Sequence, residues 1–250
     1  MKIFVVKFGG TSVADISKIR NVAKIIIDKY KSNKIIVVLS AMAGVTNNLQ
    51  SYVDEIGYFP SKETDLVMTS GEQVTIGLLS MILNKEGVKS IPLLGWQIPI
   101  ITDDSFEKGK ILNINKKNIL HHFKLHDVIV LAGFQGVNIH GEITSLGRGG
   151  SDTTAVAIAS SINAERCDIY TDVDGVFTTD PNIDMKAKKI DKVSYEEMLE
   201  MSSTGAKVLQ TRSVELAMKN NLILQVLSSL TNLEGTYVVN ENELVEKEIV

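Results

Sequence analysis

Cysteine is almost absent from this chain of 250 residues, in which Cys167 is the only one. A single cysteine cannot form an intramolecular disulfide or a cysteine zinc cluster, and Cys167 lies in an apolar run typical of a buried strand. No run of apolar residues reaches the length needed to cross a bilayer. These absences argue against a disulfide-stapled secreted protein and against a membrane partner, and they favour a reducing cytosol.

A strong excess of one charge is missing as well. The 26 basic and 30 acidic residues leave a formal net charge of -4, which gives no signal of a nucleic-acid partner. The lysines of residues 116–117 and 186–192 are mixed with acids and read as solvated faces. The chain enters a strand near Ile3 without the charged and apolar regions of a signal peptide, so we expect a cytoplasmic protein.

Short aliphatic runs alternate with stretches of helical periodicity along the chain, and 44% of the residues are hydrophobic. This pattern predicts an α/β fold, a three-layer αβα sandwich with a mostly parallel central sheet covered by helices on both faces. One helix is predicted over residues 65–84, where apolar positions recur at helical spacing. The predicted strands are residues 3–8, 35–39, 128–131, 168–171 and 222–227.

Ligands of such a sheet bind at the carboxyl ends of its strands. Lys7, Ser40, Phe134 and the polar loop that starts at Thr171 all come directly after a predicted strand. The topology alone therefore predicts that these residues converge in space.

The most informative segment is Leu-Gly-Arg-Gly-Gly-Ser-Asp-Thr-Thr at residues 146–154, directly ahead of an Ala-rich helix that we expect from Asp152. Its glycines let the backbone approach a ligand, and the first amides of the helix have no partner within it. A phosphate or carboxylate could accept from them. Taken alone, the segment is ambiguous, because glycine-rich turns before helices occur more often as plain strand-to-helix connections.

A second segment, residues 5–13, ends a strand in a lysine, two glycines and two hydroxyl residues before a helix opens near Asp15. Lys7 can direct an ammonium at a polyphosphate, and the N–H groups of Gly9 and Gly10 could donate to the same oxygens. The spacing fits neither a Walker A loop nor the dinucleotide-binding pattern of three spaced glycines.

A third segment, residues 169–181, runs from a strand end into a turn rich in carboxylates and hydroxyls and closed by a proline. It offers many polar contacts to a ligand. Its Asp-Gly and Asp-Pro pairs are also ordinary chain-reversal chemistry, and the segment alone does not distinguish the two readings.

Together, the three segments closely resemble the signatures of aspartate kinases, members of the amino-acid kinase superfamily, and they occur in the same order. The resemblance spans essentially the whole chain. Further agreement comes from Ser40-Ala41-Met42, Ser70-Gly71-Glu72-Gln73, Gly133-Phe134-Gln135-Gly136 and Gly205-Ala206-Lys207-Val208-Leu209.

The resemblance implies transfer of the ATP γ-phosphoryl group to the β-carboxylate of L-aspartate. The products are 4-phospho-L-aspartate, which leads to lysine, threonine and methionine, and ADP, with Mg²⁺ held mainly by the nucleotide. A carboxylate acceptor is already ionised at neutral pH, so the reaction needs positioning and charge neutralisation rather than a general base. In keeping with this, the histidines fall outside the three segments, and we expect no chemical role for His121, His122, His126 or His140.

By resemblance, Lys7 and Lys207 contact the phosphates, and Asp152 holds these ammonium groups in position as the third catalytic residue. Two anionic substrates repel each other in a cleft of low dielectric constant, so cations must offset the repulsion. The alternative for Lys207 is a solvated lysine on a helix.

The amino-acid head requires a cation for its α-carboxylate and an anion for its α-ammonium, for which Arg148 and Glu72 are the best candidates. Glu72 could instead be an exposed helical carboxylate. The neighbouring Gly71 argues against that, because a glycine in a helix costs up to about 1 kcal/mol and suggests a close approach of backbone or ligand. The remaining substrate contacts implied by the resemblance are Ser40, Thr46, Phe134 and Ser151.

For the nucleotide, the resemblance assigns Thr171, Asp172, Asp174, Phe177 and Asp180, in addition to Lys7, Gly9, Gly10 and Lys207. Two positions depart from the family pattern. Phe177 replaces a common tyrosine and so lacks its hydroxyl, and Asn182 replaces a common arginine, which removes a phosphate-directed cation.

We expect residues 1–250 to form one amino-acid kinase catalytic domain, with an amino-acid lobe at about residues 1–145 and a nucleotide lobe at about residues 146–250. Aspartate kinases commonly continue past the segment that corresponds to residues 235–250 into ACT regulatory domains, whereas this sequence stops there. We therefore expect no ACT domain, and insensitivity to lysine and threonine unless a separate ACT-containing chain regulates this one. A homodimer is also expected from the resemblance.

Two alternatives stay open. Another kinase of the superfamily, acting on acetylglutamate, glutamate, carbamate or a nucleoside monophosphate, would share the fold and the phosphate lysines. The pair of Arg148 and Glu72 favours an acceptor with a free amino-acid head. A non-catalytic subunit that has kept the pocket is the other alternative, although Lys7, Asp152 and Lys207 are all present.

Overall fold

The computed structural model describes residues 2–179, 183–184, 186–204, 208–231 and 233–244. Its strands are β1 (Ile3–Phe8), β2 (Lys34–Leu39), β3 (Ser90–Leu93), β4 (Ile100–Thr102), β5 (Ile111–Ile114), β6 (Val128–Ala132), β7 (Gln135–Val137), β8 (Ile143–Ser145), β9 (Arg166–Thr171), β10 (Lys192–Ser194), β11 (Leu224–Ser228) and β12 (Thr236–Val239). Its helices are α1 (Ile16–Lys29), α2 (Val45–Ile56), α3 (Lys62–Met68), α4 (Ser70–Lys85), α5 (Lys116–His122), α6 (Gly150–Ile162), α7 (Tyr195–Thr204) and α8 (Thr211–Lys219). Short 3-10 helices cover Gly10–Val13 and Glu241–Glu243.

Eight strands form the main sheet in the order β10-β12-β11-β9-β1-β2-β6-β3. Every neighbouring pair is parallel except β11 and β12. The five strands predicted from the aliphatic runs correspond to β1, β2, β6, β9 and β11. Because β1 lies between β2 and β9, with Phe8 opposite both Leu39 and Tyr170, the carboxyl ends of these three strands meet at one edge.

Alternate residues of the central strands enter two separate cores, as the two-residue period of a strand requires. Val5 belongs to the core covered by α5, α6 and α8, whereas Val6 belongs to the core covered by α1 and α4. Helices therefore cover both faces of the sheet, and the predicted αβα sandwich is confirmed. Cys167 is fully buried in β9, and burial raises the pKa of its thiol well above the usual range.

A second sheet of four short strands, in the order β5-β4-β7-β8, was not predicted. Its strands have three or four residues each, which is too short for a reliable two-residue period. β8 ends at Ser145, directly before the glycine-rich segment. This sheet therefore positions the start of that segment.

The single helix predicted over residues 65–84 is wrong, because the chain forms α3 and α4 with a break at Thr69. The Thr69 hydroxyl donates to the carbonyl of Asp65, a bond that is known to bend helices. Within the described residues, one stretch, Lys62–Lys85, is long and apolar enough to span a membrane by composition, contrary to expectation. It contains this break and is half-buried inside the protein, and the core helices of soluble proteins pass the same test.

Candidate functional site

One cavity of about 600 Å³ opens where the carboxyl ends of β1 and β2 meet the N-terminus of α6. The structure brings two of the predicted catalytic residues and all six predicted substrate contacts to its lining: Lys7, Asp152, Ser40, Thr46, Glu72, Phe134, Arg148 and Ser151. These residues come from segments up to 145 positions apart in sequence, so the parallel sheet assembles them. We call this space the acceptor cavity.

The lining of the acceptor cavity contains an ion pair between Lys7 near the end of β1 and Asp152 in the first turn of α6. Their Nζ and Oδ1 atoms are 2.6 Å apart, and both side chains are about nine-tenths buried. A Cβ atom on Gly9 would lie 3.4 Å from the Lys7 Nζ atom. The ammonium is therefore held by a buried carboxylate and lies next to the turn at Gly9.

The glycine-rich segment forms a tight turn before α6. Gly147 and Gly149 have φ angles of 73° and 72°, in the left-handed region that favours glycine. A Cβ on Gly149 would lie 2.2 Å from the Gln210 side chain, so a larger residue does not fit there. The helix begins at Gly150, two residues earlier than predicted, because Gly149 acts as its N-cap.

Glu72 lies in the first turn of α4 and is only 3% exposed. Its Oε1 atom accepts a hydrogen bond of 3.0 Å from the N–H of Ala41, and its buried Oε2 atom has no partner among the described residues. Burial raises the pKa of Glu72 to about 7, although the Ala41 hydrogen bond partly opposes the shift. The alternative of an exposed helical carboxylate is therefore wrong.

Close packing explains the glycine at position 71, next to Glu72. A Cβ on Gly71 would lie 2.7 Å from the Cβ of Ala41 and 3.0 Å from the side chain of Val45. The close approach suggested by the sequence is therefore made by side chains of the segment after β2. This contact seats the start of α4 against the end of β2 and brings Glu72 to the acceptor cavity.

Phe134 is a non-glycine residue with a positive φ of 69°. Its N–H donates to the Thr154 hydroxyl at 3.1 Å, and its carbonyl accepts from the N–H of Leu146 at 2.9 Å. These bonds connect Phe134 both to α6 and to the segment before Gly147. The unusual backbone conformation is thus fixed from two sides of the acceptor cavity.

Arg148 contrasts with these residues because it is exposed. The segment that carries Arg148 is held at Leu146, whose carbonyl accepts a hydrogen bond of 3.0 Å from the guanidinium of Arg212. The lining of the acceptor cavity contains three basic residues, Lys7, Lys108 and Arg148, and three acidic residues, Glu72, Glu107 and Asp152. The Arg148 guanidinium is therefore a solvent-facing cation at a cavity of balanced charge.

The predicted nucleotide residues after β9 are outside the lining of the acceptor cavity. The Thr171 hydroxyl donates to Asp172 at 3.1 Å, the Thr231 hydroxyl donates to Asp174 at 2.6 Å, and Phe177 forms an isolated antiparallel bridge with Lys189. We call residues 171–177 the nucleotide loop.

The nucleotide loop starts beside the glycine turn after β1, because the N–H of Gly9 donates to the Tyr170 carbonyl at 3.4 Å. The Gly9 N–H, which we expect to donate to a phosphate, thus has a long backbone contact in this structure, and its role at the phosphate stays a prediction. Asp180, Asn182 and Lys207 lie outside the described residues.

Sequence reasoning missed several residues of the lining: Asn47, Gln50, Tyr58, Met68, Glu107, Lys108, Ser145 and Gln210. Asn47 and Gln50 follow Thr46 on α2, and the helical period could have found them. Glu107 and Lys108 belong to a charged loop that reads as a solvated turn. Only tertiary contacts bring that loop to the cavity.

No group of three or more His, Cys, Asp or Glu side chains within the described ranges could hold a metal ion. The predicted role of Mg²⁺ is that of an ion carried mainly by the nucleotide phosphates. That role requires no dedicated protein cage, and many Mg²⁺ sites combine one or two carboxylates with substrate phosphates.

The sequence matches a family model, the amino acid kinase family, over residues 2–228. It is 47% identical over 252 residues to an aspartokinase of Bacillus sp. (strain MGA3). The aligned region covers 100% of this chain and 61% of the Bacillus protein. An aspartate kinase of Pseudomonas putida is 48% identical to this chain, and the aligned region covers 100% of this chain and 62% of the Pseudomonas protein. The chain thus spans about three fifths of the length of the curated relatives it matches.

Solved structures of aspartate kinases have the same fold as this chain. Aspartate kinase from Synechocystis superimposes with a TM-score of 0.85 at 41% identity, covering 95% of this chain and 40% of that one. Aspartokinase III of E. coli, in complex with aspartate and ADP, gives a TM-score of 0.83 at 28% identity, covering 96% of this chain and 65% of that one. The predicted resemblance to aspartate kinases is confirmed, and by its sequence signatures, its fold and the family model this chain belongs to the amino acid kinase family.

Proposed function

We propose that this chain is the catalytic part of an aspartate kinase, which transfers the γ-phosphoryl group of ATP to the β-carboxylate of L-aspartate. The observation that carries the proposal is the Oε2 atom of Glu72, a buried acceptor without a partner among the described residues, in the same cavity as Arg148 and the pair of Lys7 and Asp152. An unpaired buried carboxylate oxygen is costly, and the α-ammonium of an amino acid would supply its missing donor.

The two ends of the amino-acid head would then bind to different kinds of site. Glu72 offers a fixed, buried anion for the α-ammonium, and the planar guanidinium of Arg148 can hold the α-carboxylate with two hydrogen bonds. Ser40, Thr46, Phe134 and Ser151 line the same cavity and would complete the contacts. A ligand with this pair of charges is an α-amino acid with a free head.

In the proposed reaction, an oxygen of the aspartate β-carboxylate forms a bond to the γ-phosphorus while the bond between that phosphorus and the β,γ-bridging oxygen breaks. ADP leaves with the electron pair of the broken bond, and no proton has to be transferred because the acceptor is already ionised. The Lys7 ammonium, held by Asp152, would neutralise charge on the transferring group. Lys207 would supply the second ammonium.

ATP would bind along the nucleotide loop, with Thr171, Asp172, Asp174, Phe177 and Asp180 around the adenine, ribose and phosphates. Mg²⁺ would bind mainly through the phosphates and supply charge neutralisation. The proximity of this loop to Gly9 supports the assignment, because it brings the nucleotide side to the end of β1. We also propose the division into an amino-acid lobe and a nucleotide lobe near residue 145, and a cytoplasmic location.

We propose a homodimer as well, and the outward face of α4 supports it. Val74 and Met81 are 55% and 69% exposed, and the intervening Gly77 has open space where a side chain would be. No charged residue lies between Val74 and Met81, so this part of the face can meet a second copy without repulsion. Light scattering of the chain and of Val74→Glu tests this proposal. Dimers that dissociate in the variant support it, whereas a monomeric chain at high concentration contradicts it.

Hydroxamate formation from ATP, aspartate and hydroxylamine tests the proposed activity, because hydroxylamine traps an acyl phosphate. We expect aspartate-dependent product and no product with glutamate, acetylglutamate or carbamate. Turnover of another acceptor instead would assign the chain to a different kinase of the family. ATP binding without turnover of any acceptor would favour a non-catalytic subunit.

A further inference from the structure

A buried carboxylate outside the acceptor cavity, that of Asp65, connects α3 to the end of β8 and to the loop at Glu107. Asp65 of α3 is fully buried, and both of its oxygens accept hydrogen bonds. Its Oδ2 atom accepts from the N–H of Ser145 at 2.7 Å and from the N–H of Glu107 at 2.9 Å. Its Oδ1 atom accepts from the Ser145 hydroxyl at 2.6 Å and makes a longer contact of 3.2 Å with the Glu107 N–H.

This arrangement uses backbone N–H groups in place of a cation. No salt bridge within the described ranges includes Asp65, although burying a charged carboxylate is expensive unless hydrogen bonds replace its hydration. Hydrogen bonds to an ionised acceptor are stronger than neutral ones. Asp65 therefore fixes the backbone at two positions, 42 and 80 residues away in sequence.

Both fixed positions lie in the lining of the acceptor cavity. Ser145 ends β8 and leads through Leu146 and Gly147 to Arg148. Glu107 has a positive φ of 63°, and its N–H bond to Asp65 holds the loop in this uncommon conformation. Asp65 itself is not part of the lining.

The two segments also pack directly against each other. The N–H of Gly109 donates to the Ser145 carbonyl at 2.9 Å. A Cβ on Gly147 would lie 2.9 Å from the Glu107 carbonyl oxygen, so only glycine allows this approach of the loop to the turn. A shift of the Glu107 loop would therefore displace the turn that carries Arg148.

We propose that Asp65 is a positioning residue for recognition of the amino-acid head. It holds the loop of Glu107 and Lys108 against the turn of Arg148, so that affinity for the acceptor depends on a carboxylate that does not touch it. This inference rests on the proposed function for the identity of the acceptor. The nucleotide loop is attached to β9, which has no bond to Asp65, and its affinity for ATP should not depend on this residue.

Asp65→Asn tests the proposal, because the amide keeps the shape of the side chain but replaces one acceptor oxygen with a donor that faces other donors. We expect the KM for aspartate to rise roughly tenfold or more, since small displacements of a positioning group are costly, while the KM for ATP stays within about twofold. Hydrogen exchange should become faster at residues 103–110 and 145–149. Ser145→Ala, which keeps the backbone bond, should show a smaller change in the same direction.

Thr102→Val is the matched control. The Thr102 hydroxyl is buried and bonds to the Thr144 hydroxyl at 2.6 Å, one residue before Ser145, but neither threonine lines the acceptor cavity. This variant should lose stability without a change in the KM for aspartate. An Asp65→Asn protein that folds with an unchanged KM for aspartate, or whose two KM values rise together, overturns the proposal.

If Asp65→Asn does not fold, Ser145→Ala provides the same comparison of KM values, and an unchanged KM for aspartate in that variant also contradicts the proposal. The exchange measurement separates this inference from the proposed function. Suppose that the wild-type protein does not phosphorylate aspartate, but that hydrogen exchange at residues 103–110 and 145–149 is faster in Asp65→Asn. The positioning role would then stand, and only the identity of the acceptor would be contradicted. Unchanged exchange would contradict the positioning role even if aspartate is the acceptor.

Discussion

The acceptor cavity and the nucleotide loop are built in different ways. In the cavity, Lys7, Glu72 and Asp152 are held by burial and by contacts to strands and helix starts of the main sheet. In the nucleotide loop, the side-chain bonds of Thr171 to Asp172 and of Thr231 to Asp174 are exposed to solvent, and the loop's polar side chains are less buried than those of the cavity.

This difference teaches which part of the site the fold organises in advance. Electrostatic groups in a buried cleft act more strongly and need little reorganisation when the substrate arrives. Exposed loop groups are weaker in water and contribute mostly to affinity. Substitutions in the acceptor cavity should therefore change turnover or acceptor recognition strongly, and substitutions in the nucleotide loop should have milder effects on the KM for ATP.

The largest effect is expected for Lys7→Met, which removes the buried ammonium but keeps most of the side-chain length. We expect kcat to fall by at least roughly 10³-fold, because the cation neutralises charge that develops in the transition state. Steady-state kinetics of the hydroxamate reaction measure this change.

Lys34→Met is the control for Lys7→Met. Lys34 lies at the other end of the neighbouring strand, forms a 2.7 Å ion pair with Asp127 and is about as buried as Lys7. Its loss should leave kcat nearly unchanged. Equal losses of activity in the two variants would contradict a specific role for Lys7.

The next effect is a pH dependence of aspartate binding. Since burial raises the pKa of Glu72 to about 7, ionisation of this carboxyl should make the Kd for aspartate fall roughly tenfold between pH 6 and pH 8. Calorimetry in buffers of different ionisation enthalpy should detect proton release on binding. In Glu72→Gln the Kd should be high and independent of pH, and a pH dependence that survives this substitution would assign the titration to another group.

Glu72 also links pH to the stability of the ligand-free protein. The folded-state pKa is above the ordinary value of 4.5, so the folded protein binds the proton more tightly than the unfolded chain does. The contribution to the free energy of unfolding is fully present below about pH 4.5 and is lost as the pH rises through about 7. Glu72→Gln should remove this component from the pH profile of chemical denaturation.

A smaller effect is expected at Thr231, whose hydroxyl bonds to Asp174 of the nucleotide loop. Thr231→Val removes the hydrogen bond to Asp174 and should raise the KM for ATP by roughly threefold, in line with the modest net value of one exposed bond. The KM for aspartate should not change. A loss of kcat as large as that of Lys7→Met would mean that the loop, too, is organised as part of the catalytic centre.

The smallest expected effect is that of Asn182→Arg, which restores a cation common in related sequences. We expect the KM for ATP to fall by roughly twofold, because a guanidinium can pair with a phosphate. An unchanged or raised KM would show that this position does not face the nucleotide.

The fold and much of the acceptor cavity could be predicted because their causes are local. Apolar runs mark β1, β2, β6, β9 and β11, and the parallel arrangement brings the residues after these runs to one edge. Glycine segments directly ahead of a helix, such as the one before α6, are equally visible in sequence.

The small sheet and the loop of Glu107 and Lys108 could not be predicted, because their positions depend on long-range contacts. Asp65 looks like an ordinary polar residue of a helix, and only its bonds to Ser145 and Glu107 show what it organises. The break at Thr69 has a similar cause. Periodicity describes which face of a helix is apolar, but it does not report hydrogen bonds to the helix carbonyls.

The placement of β1 between β2 and β9 has a consequence for biosynthesis. Strand β1 needs a neighbour, β9, that is more than 150 residues downstream, so the centre of the sheet stays open on one side until β9 has been made. Lys7 and its partner Asp152 can meet only after that long stretch has been translated. A nascent chain interrupted before β9 would therefore expose one unpaired edge of an apolar strand, and it is at this stage that protection by a chaperone would matter most.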